Sequence, residues 1–567
     1  MTDRIQDVYP LAPGQGGILL ESARGAGDGR YVMQILLDLR GAVDPLREAA
    51  AWRALVDRHD ALRTALVWEG QARPLQVVGR TARPELGVTD VADRSEAERS
   101  AALAAFLEVD RRRGFALTRA PLLRVHRFDL GGGRHRAVVT FHHVALDGWS
   151  IPILLRDWIA LYAGRALPPA LPFRDHVAGM LSQDRAAALA FWARELAGLP
   201  LAFPAAAAAG PGGAAVLRLS PEDSARVEAQ ARRARLTLGT VTHGLWGLLV
   251  ARHAGARDSL YGLARAGRPA ALPGAEGRVG MFLNTLPVRA RLDEDRPLAA
   301  WLAGLQTQVQ GQAPHAHVGL GEALAAAGRP RLDSVAVFEN YPTDPALLGA
   351  APGFVVEAVE VRERTSFPLA LFAAARPDLE LRLLHDGGLD AAGAGRLLDD
   401  LQALLLGFAA RPEASLSAFR PMGPHPGSVL RRSAPGRSAA APAPVGPAPV
   451  DPAAAAAILP RLGRIWQELL ESGPPARDDN FFDLGGHSLL VIALQERIRR
   501  DLGAAAEMPD LFRFATLAAQ AAHVAALLTP APAPDAAAER GPGRAGGAAR
   551  LRRRRLQTLN EEPADHV

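Results

Sequence analysis

The chain has 567 residues, 49% of them apolar and 22% charged, with a mean hydropathy of +0.02. At ~150 residues per domain that is material for three or four water-soluble domains. Every cation is an arginine and there is no cysteine, which excludes disulfides, thiolate metal sites, a cysteine nucleophile, Schiff-base lysines and the phosphate-binding lysine of a P-loop.

The 65 cations and 60 carboxylates leave a net charge of only +5. The two signs are interleaved until the last thirty residues, so the sequence pI of about 10.2 follows from arginine's high pKa and does not point to nucleic acid. No run approaches the ~18 apolar residues of a membrane span. The opening MTDRIQDVYPLAPGQ lacks the basic-then-apolar pattern of a secretion signal. The expectation is a soluble, cytoplasmic protein with neither a membrane nor a nucleic-acid partner.

From residue 1 to 424 strand and helix patterns alternate. Residues 31–39 (YVMQILLDL), 136–142 (RAVVTFH) and 334–338 (SVAVF) read as strands, and 52–59 and 398–408 as helices with apolar residues at three-and-four spacing. This predicts an α/β build, and ~424 residues exceed what one core supports, so two lobes are expected. Residues 425–452 are dominated by Pro and Ala, the composition of a semi-rigid linker. Beyond it, Leu462, Ile465, Trp466, Leu469 and Leu470 form one face of a helix. A second stripe (Leu490, Leu494, Ile498) and a third over 516–528 complete a small helical bundle. Residues 531–567 are Pro/Ala/Gly-rich with an arginine run, a tail expected to be disordered alone.

Two segments carry chemistry. In FHHVALDGWS (141–150), strand alternation sends His142 and His143 to opposite faces, so one faces a cavity while the other packs. Asp147 falls in the following turn, where Gly148 supplies backbone freedom. An imidazole titrating near ~6.5 handles protons at neutral pH. Adjacent strand residues do not converge on a metal ion, and Ser150 lacks a G-x-S-x-G elbow. His315 and His317 form an HxH without further ligands at plausible spacing and are read as structural, and 131–133 (GGG) as a turn. In DNFFDLGGHSLL (479–490), Gly485 and Gly486 precede Ser488 at a helix start, where unpaired N–H groups and the dipole favour a phosphate.

HHVALDGWS is similar to the HHxxxDG signature of non-ribosomal peptide synthetase condensation domains. VYPLAPGQGG (8–17), RHDALRT (58–64), VGMFLNTLPVR (279–289) and DSVAVFENYP (333–342) resemble further motifs of that family in the right order. The resemblance implies an α/β fold of two chloramphenicol-acetyltransferase-like lobes arranged as a V-shaped pseudo-dimer. The lobes would cover 1–172 and 173–424, with a tunnel between them. His143 would face the tunnel's midpoint and either accept or orient the proton of the attacking amine, or hydrogen-bond the tetrahedral intermediate. His142 would pack, and Gly148 would let the backbone approach the reacting centre. Asp147 would hold the loop by pairing with Arg58, with Arg63 a nearby structural residue and Asn284 and Thr285 at the floor.

The segment around Ser488 resembles the LGGxSL attachment site of peptidyl carrier domains, which implies a four-helix carrier over 453–530 bearing covalent 4′-phosphopantetheine on Ser488. The expected partners are an upstream donor carrier, an adenylating enzyme acting in trans, a phosphopantetheinyl transferase, and a downstream synthetase or release enzyme. The reaction implied is amide formation on a donor acyl or peptidyl thioester. The rivals are ester-forming or free-amine condensation, an epimerisation domain and a non-catalytic recruitment module. The tail 531–567 is a solvated run or a docking segment.

Overall fold

The computed structural model describes residues 4–528 apart from 25–27, 72, 200–211, 329–331, 333, 340–350, 376, 388, 421–451, 471–472, 482–483, 485–487, 508–509 and 512–513. The linker expected at 425–452, save Pro452, the tail 531–567, and Asn340, Tyr341 and Pro342 of the last motif lie outside the described residues.

Two larger sheets carry the α/β portion. The first has five strands in the order Phe354–Arg362, Val32–Gly41, Arg134–His142, Leu123–Gly131 and Glu85–Asp90. The second has six: Asn284–Arg291, Asp258–Arg265, Ser334–Glu339, Leu369–Ala375, Leu379–His385 and Gly213–Arg218. Both are mixed: Glu85–Asp90 runs parallel to its neighbour in the first, as Ser334–Glu339 does to both neighbours in the second. The turn at 131–133 consists of three left-handed glycines leading into Arg134–His142.

The sheets do not follow chain order. Phe354–Arg362 lies in the half of the sequence that supplies the second sheet, yet it pairs antiparallel with Val32–Gly41 from Phe354↔Gly41 to Arg362↔Gln34. Gly41 and Gly353 make the close approach possible, since a Cβ on Gly41, at φ +126°, would lie 2.1 Å from the Gly353 carbonyl oxygen. The crossover strand is anchored by Phe354, whose ring sits 5.7 Å from Trp158 and edge-on to Tyr162 at 4.9 Å. Trp158 stacks on Trp52 at 4.8 Å. Phe173, Val279, Met281 and Phe282 are buried in one continuous apolar cluster with residues of the first sheet.

Of the C-terminal bundle, the described helices are Pro452–Leu470, Ser488–Arg497 (continuing as a π turn to Leu502) and Leu517–Leu528. Of the apolar stripes expected there, Leu462, Ile465, Trp466, Leu494 and Ile498 lie in the core, and Leu469, Leu470 and Leu490 are half-buried against it. Trp466 Nε1 donates to Gln520 Oε1 at 3.1 Å, fixing the first helix against the last. The helix Ser488–Arg497 packs against Pro13–Arg24, the leading helix of the chain.

Phe354→Ala removes the aromatic anchor of the crossover strand. Denaturant unfolding should show a loss of about 3–5 kcal/mol, the usual range for a buried Phe truncation.

Candidate active site

The strand Arg134–His142 ends at the first histidine, whose N–H bonds to Leu122 O while that of His143 bonds to Tyr31 O. The two side chains therefore part, as pleating requires. His142 is buried: Nδ1 accepts the Val144 N–H at 3.2 Å, and Nε2 lies 3.2 Å from Ser22 Oγ, whose hydroxyl is given to Ile18 O. This places the proton on Nε2. Burial, with repulsion from His143, holds the pKa of His142 down at about 3, so its role is to pack.

His143 lines a cavity of about 210 Å³ walled by both halves of the chain. Its Nδ1 sits 2.7 Å from Leu146 O. A carbonyl can only accept, so Nδ1 carries the hydrogen and Nε2 keeps its lone pair. Burial lowers this pKa too, outweighing the opposing pull of the loop carbonyls and Asp147, and the ring is neutral at neutral pH. A neutral imidazole with a free lone pair is a proton acceptor.

Asp147 is 2% exposed. Its Oδ1 accepts the Ser150 N–H at 2.9 Å and hydroxyl at 2.6 Å, and its Oδ2 the Phe282 N–H at 3.2 Å. Both oxygens take the Arg268 guanidinium, at 3.0 and 3.2 Å. With its lone pairs engaged, Asp147 is a structural carboxylate. The loop is stapled further by Asp147 N–H to Gly280 O and by Gly280 N–H to Ser150 Oγ, both at 3.1 Å.

The expected Arg58–Asp147 pair does not form. Arg58 ends the helix Pro45–Arg58, which packs against Ser150–Tyr162, so its Nε meets Asp157 at 2.9 Å, beside His59 at 3.1 Å. Arg268 takes the place assigned to Arg58. Its signal was an Arg after Gly267, where a Cβ would strike Phe282 O at 1.7 Å, but one arginine among 65 cations of one type is not distinguishable by sequence. Arg63 is a buried brace, bonded to Asp60, Gln6 and the Val56 carbonyl.

Gly148 lines the cavity but is not among the glycines with left-handed φ. The turn therefore does not draw on the left-handed backbone freedom expected of it. Asn284 and Thr285 also line the cavity, and Asn284 Nδ2 donates to Ala316 O and Val318 O, each at 2.9 Å. His315 stacks on Phe191 at 4.0 Å. Sequence reasoning missed Tyr31, a cavity residue at φ +58° that takes the His143 N–H and gives its own to Arg364 O. Such a conformation costs about 1–3 kcal/mol and persists where neighbours over-determine it.

Ser488 opens its helix as expected. Gly485, Gly486 and His487 lie outside the described residues. The leading helix against which Ser488–Arg497 packs lines the cavity through Gly14, Gly17 and Ile18. No described helix is long and apolar enough to cross a membrane.

Asp147→Ala would strand the buried Arg268 cation, and a loss of about 3–5 kcal/mol is expected by denaturant unfolding. Acid should act through the histidines. His142, His176 and His243 have pKa values lowered from 6.5 to about 3, 4 and 3 by burial. Their neutral forms stabilise the fold fully above pH 6.5, and that contribution is lost as pH falls toward 4–3. The denaturant midpoint should decline steadily over that window.

Two family models match the chain, the condensation domain over 5–423 and the phosphopantetheine attachment site over 460–524. One of the linear gramicidin synthase proteins of Brevibacillus parabrevis is 34% identical over 432 residues, 73% of this chain and 6% of that protein. Surfactin synthase subunit 3 of Bacillus subtilis (strain 168) is 28% identical over 433 residues, 74% of this chain and 34% of that protein. The chain thus spans a small part of these relatives. The condensation domain of the Monacolin K polyketide synthase MokA superposes with a TM-score of 0.62 at 22% identity, covering 73% of this chain and all of that one. The first condensation domain of the calcium-dependent antibiotic synthetase does so at 0.61 and 21%, covering 73% and 98%. The fold is therefore the chloramphenicol-acetyltransferase-like α/β architecture expected.

Proposed function

Because the chain belongs to the condensation-domain family and carries a phosphopantetheine attachment domain behind it, we propose that it forms an amide bond between a donor acyl or peptidyl thioester and an acceptor amine held on its own arm at Ser488. The observation that carries this reading is His143 Nε2, a lone pair on a neutral ring in the wall of the cavity between the two halves.

Ser488 fits as the attachment residue. It opens a helix, where the first backbone N–H groups have no intrahelical acceptor and the dipole favours a phosphate. That helix lies against the leading helix, whose glycines line the cavity. When bound there, phosphopantetheine supplies the thiol that this cysteine-free chain lacks.

His143 takes the proton of the acceptor amine as the nitrogen attacks the donor carbonyl. The C–N bond forms, the donor C–S bond breaks, and His143 passes that proton to the departing sulfur, returning to its neutral form. The Leu146 carbonyl fixes which ring nitrogen is available, and Asp147 with Arg268 holds the loop without moving protons. The thioester is already activated, so confining amine and carbonyl together supplies much of the acceleration, up to ~7–11 kcal/mol in favourable cases. Donor delivery and charging of the arm are assigned to other synthetase modules and adenylation domains.

Intact-mass spectrometry tests both assignments. With a charged donor carrier, His143→Ala should slow appearance of the combined mass about 10²-fold or more; a normal rate would remove the base assignment. Ser488→Ala should prevent a phosphopantetheinyl transferase from adding the cofactor mass, and retention of that mass gain would remove the carrier assignment.

A further inference from the structure

Arg265 and Asn284 face each other across the antiparallel pair Asp258–Arg265 and Asn284–Arg291, as direct Cα partners. Side chains so placed leave the same face of a sheet about 5 Å apart at Cβ. Both line the cavity. Both are also tethered to one stretch of chain: Arg265 Nη1 donates to Val309 O at 3.0 Å, and Asn284 Nδ2 to Ala316 O and Val318 O at 2.9 Å.

The tethers decide what each residue has left to offer. Two carbonyls on one side of the Asn284 amide require its NH₂ there, so the O/N assignment is not ambiguous. Oδ1 is then left over. It is buried, in a residue 3% exposed, and has no hydrogen-bond partner. A buried acceptor left unpaired is destabilising until something donates to it. The guanidinium spends one N–H on Val309, and no described carboxylate lies within ion-pair distance of it. Burial lowers its pKa with no acidic group opposing.

We propose that Arg265 and Asn284 form a subsite for the amide groups of the bound substrate chain, Asn284 Oδ1 accepting an N–H and the Arg265 guanidinium donating to a C=O. The chemistry selects this class. An anion would suit the guanidinium alone but would be repelled by the oxygen beside it, and a cation would suit the oxygen but not the guanidinium. A neutral group that offers donor and acceptor together satisfies both. The assignment rests on the condensation reading above, in which the cavity receives an amide-bearing arm and, on the donor side, an acyl or peptidyl group. It makes Arg265 and Asn284 positioning and specificity residues, apart from the proton transfer at His143. The HxH segment belongs to its support through its backbone and one ring: the carbonyls of Ala316 and Val318 flank His317, and the Phe191–His315 stack braces the same turn.

Calorimetric titration of the full chain, which involves no turnover, tests the subsite. The probes are pantetheine, pantetheine methylated at each amide nitrogen in turn, pantetheine 4′-phosphate, and a dipeptidyl pantetheine thioether with its peptide nitrogen free or methylated. Methylating one amide should weaken binding to the wild type about tenfold, and less than twofold to Asn284→Ala. Arg265→Met should weaken pantetheine itself several-fold. The amide whose methylation shows this coupling identifies the source, the arm or the donor peptide.

Methylation penalties equal in wild type and variant would overturn the subsite. So would an Arg265→Met effect confined to the phosphorylated probe. Should Asn284→Ala not fold, the wild-type series alone decides, since indifference to every methylation overturns the proposal. Absence of binding by any probe would sink the condensation reading with it, whereas binding that ignores methylation sinks the subsite alone.

Discussion

The carboxylate of Asp147 is the point on which the site hangs. It is almost wholly removed from water, and it gathers the Ser150 N–H and hydroxyl, the Phe282 N–H and the Arg268 guanidinium. The last two come from the other half of the cavity wall. A buried charge pair contributes little net stability against a hydrophobic alternative, but its geometry is demanding. Here that demand closes the loop bearing His143 onto residues 280–282, and Leu146, next to Asp147, supplies the carbonyl that sets the tautomer of His143. The orientation of the His143 ring and the seating of its loop on residues 280–282 thus share one carboxylate.

Electrostatics divides the two adjacent histidines. Both are pulled down by burial, yet one is boxed in by Ser22 and a backbone amide while the other lines the cavity with only its Nδ1 tied, to Leu146 O. On the proposed reading the second is the proton acceptor, because its Nδ1 is committed to Leu146 O. The proposed reaction would ask little of it, since a thioester is a good acyl donor and confinement would do much of the rest.

Local features of this arrangement were legible in the sequence. Period-two alternation separates His142 from His143, the apolar stripe at Leu462, Ile465 and Trp466 marks a buried helix face, and the glycines before Ser488 mark a helix start. Non-local pairings were not. Arg58 and Arg268 are chemically identical, and only the packing of Pro45–Arg58 on Ser150–Tyr162 decides that Arg58 meets Asp157. The Phe354–Arg362 strand joins a sheet whose next strand lies some 300 residues earlier, and nothing local to it says so. Asn284 was visible as a floor residue; that its oxygen is left over follows only from two carbonyls more than thirty positions away.

The crossover strand also orders events in time. The edge of the first sheet at Val32–Gly41 waits for a partner that lies roughly 300 residues further along, and a ribosome adding about 5–20 residues per second leaves that edge unpaired for tens of seconds. Through that interval the nascent chain exposes a strand rim, the surface most prone to pairing with a neighbouring chain. Crowded translation therefore bears on the yield of this protein through one late-arriving segment, well before any substrate is met.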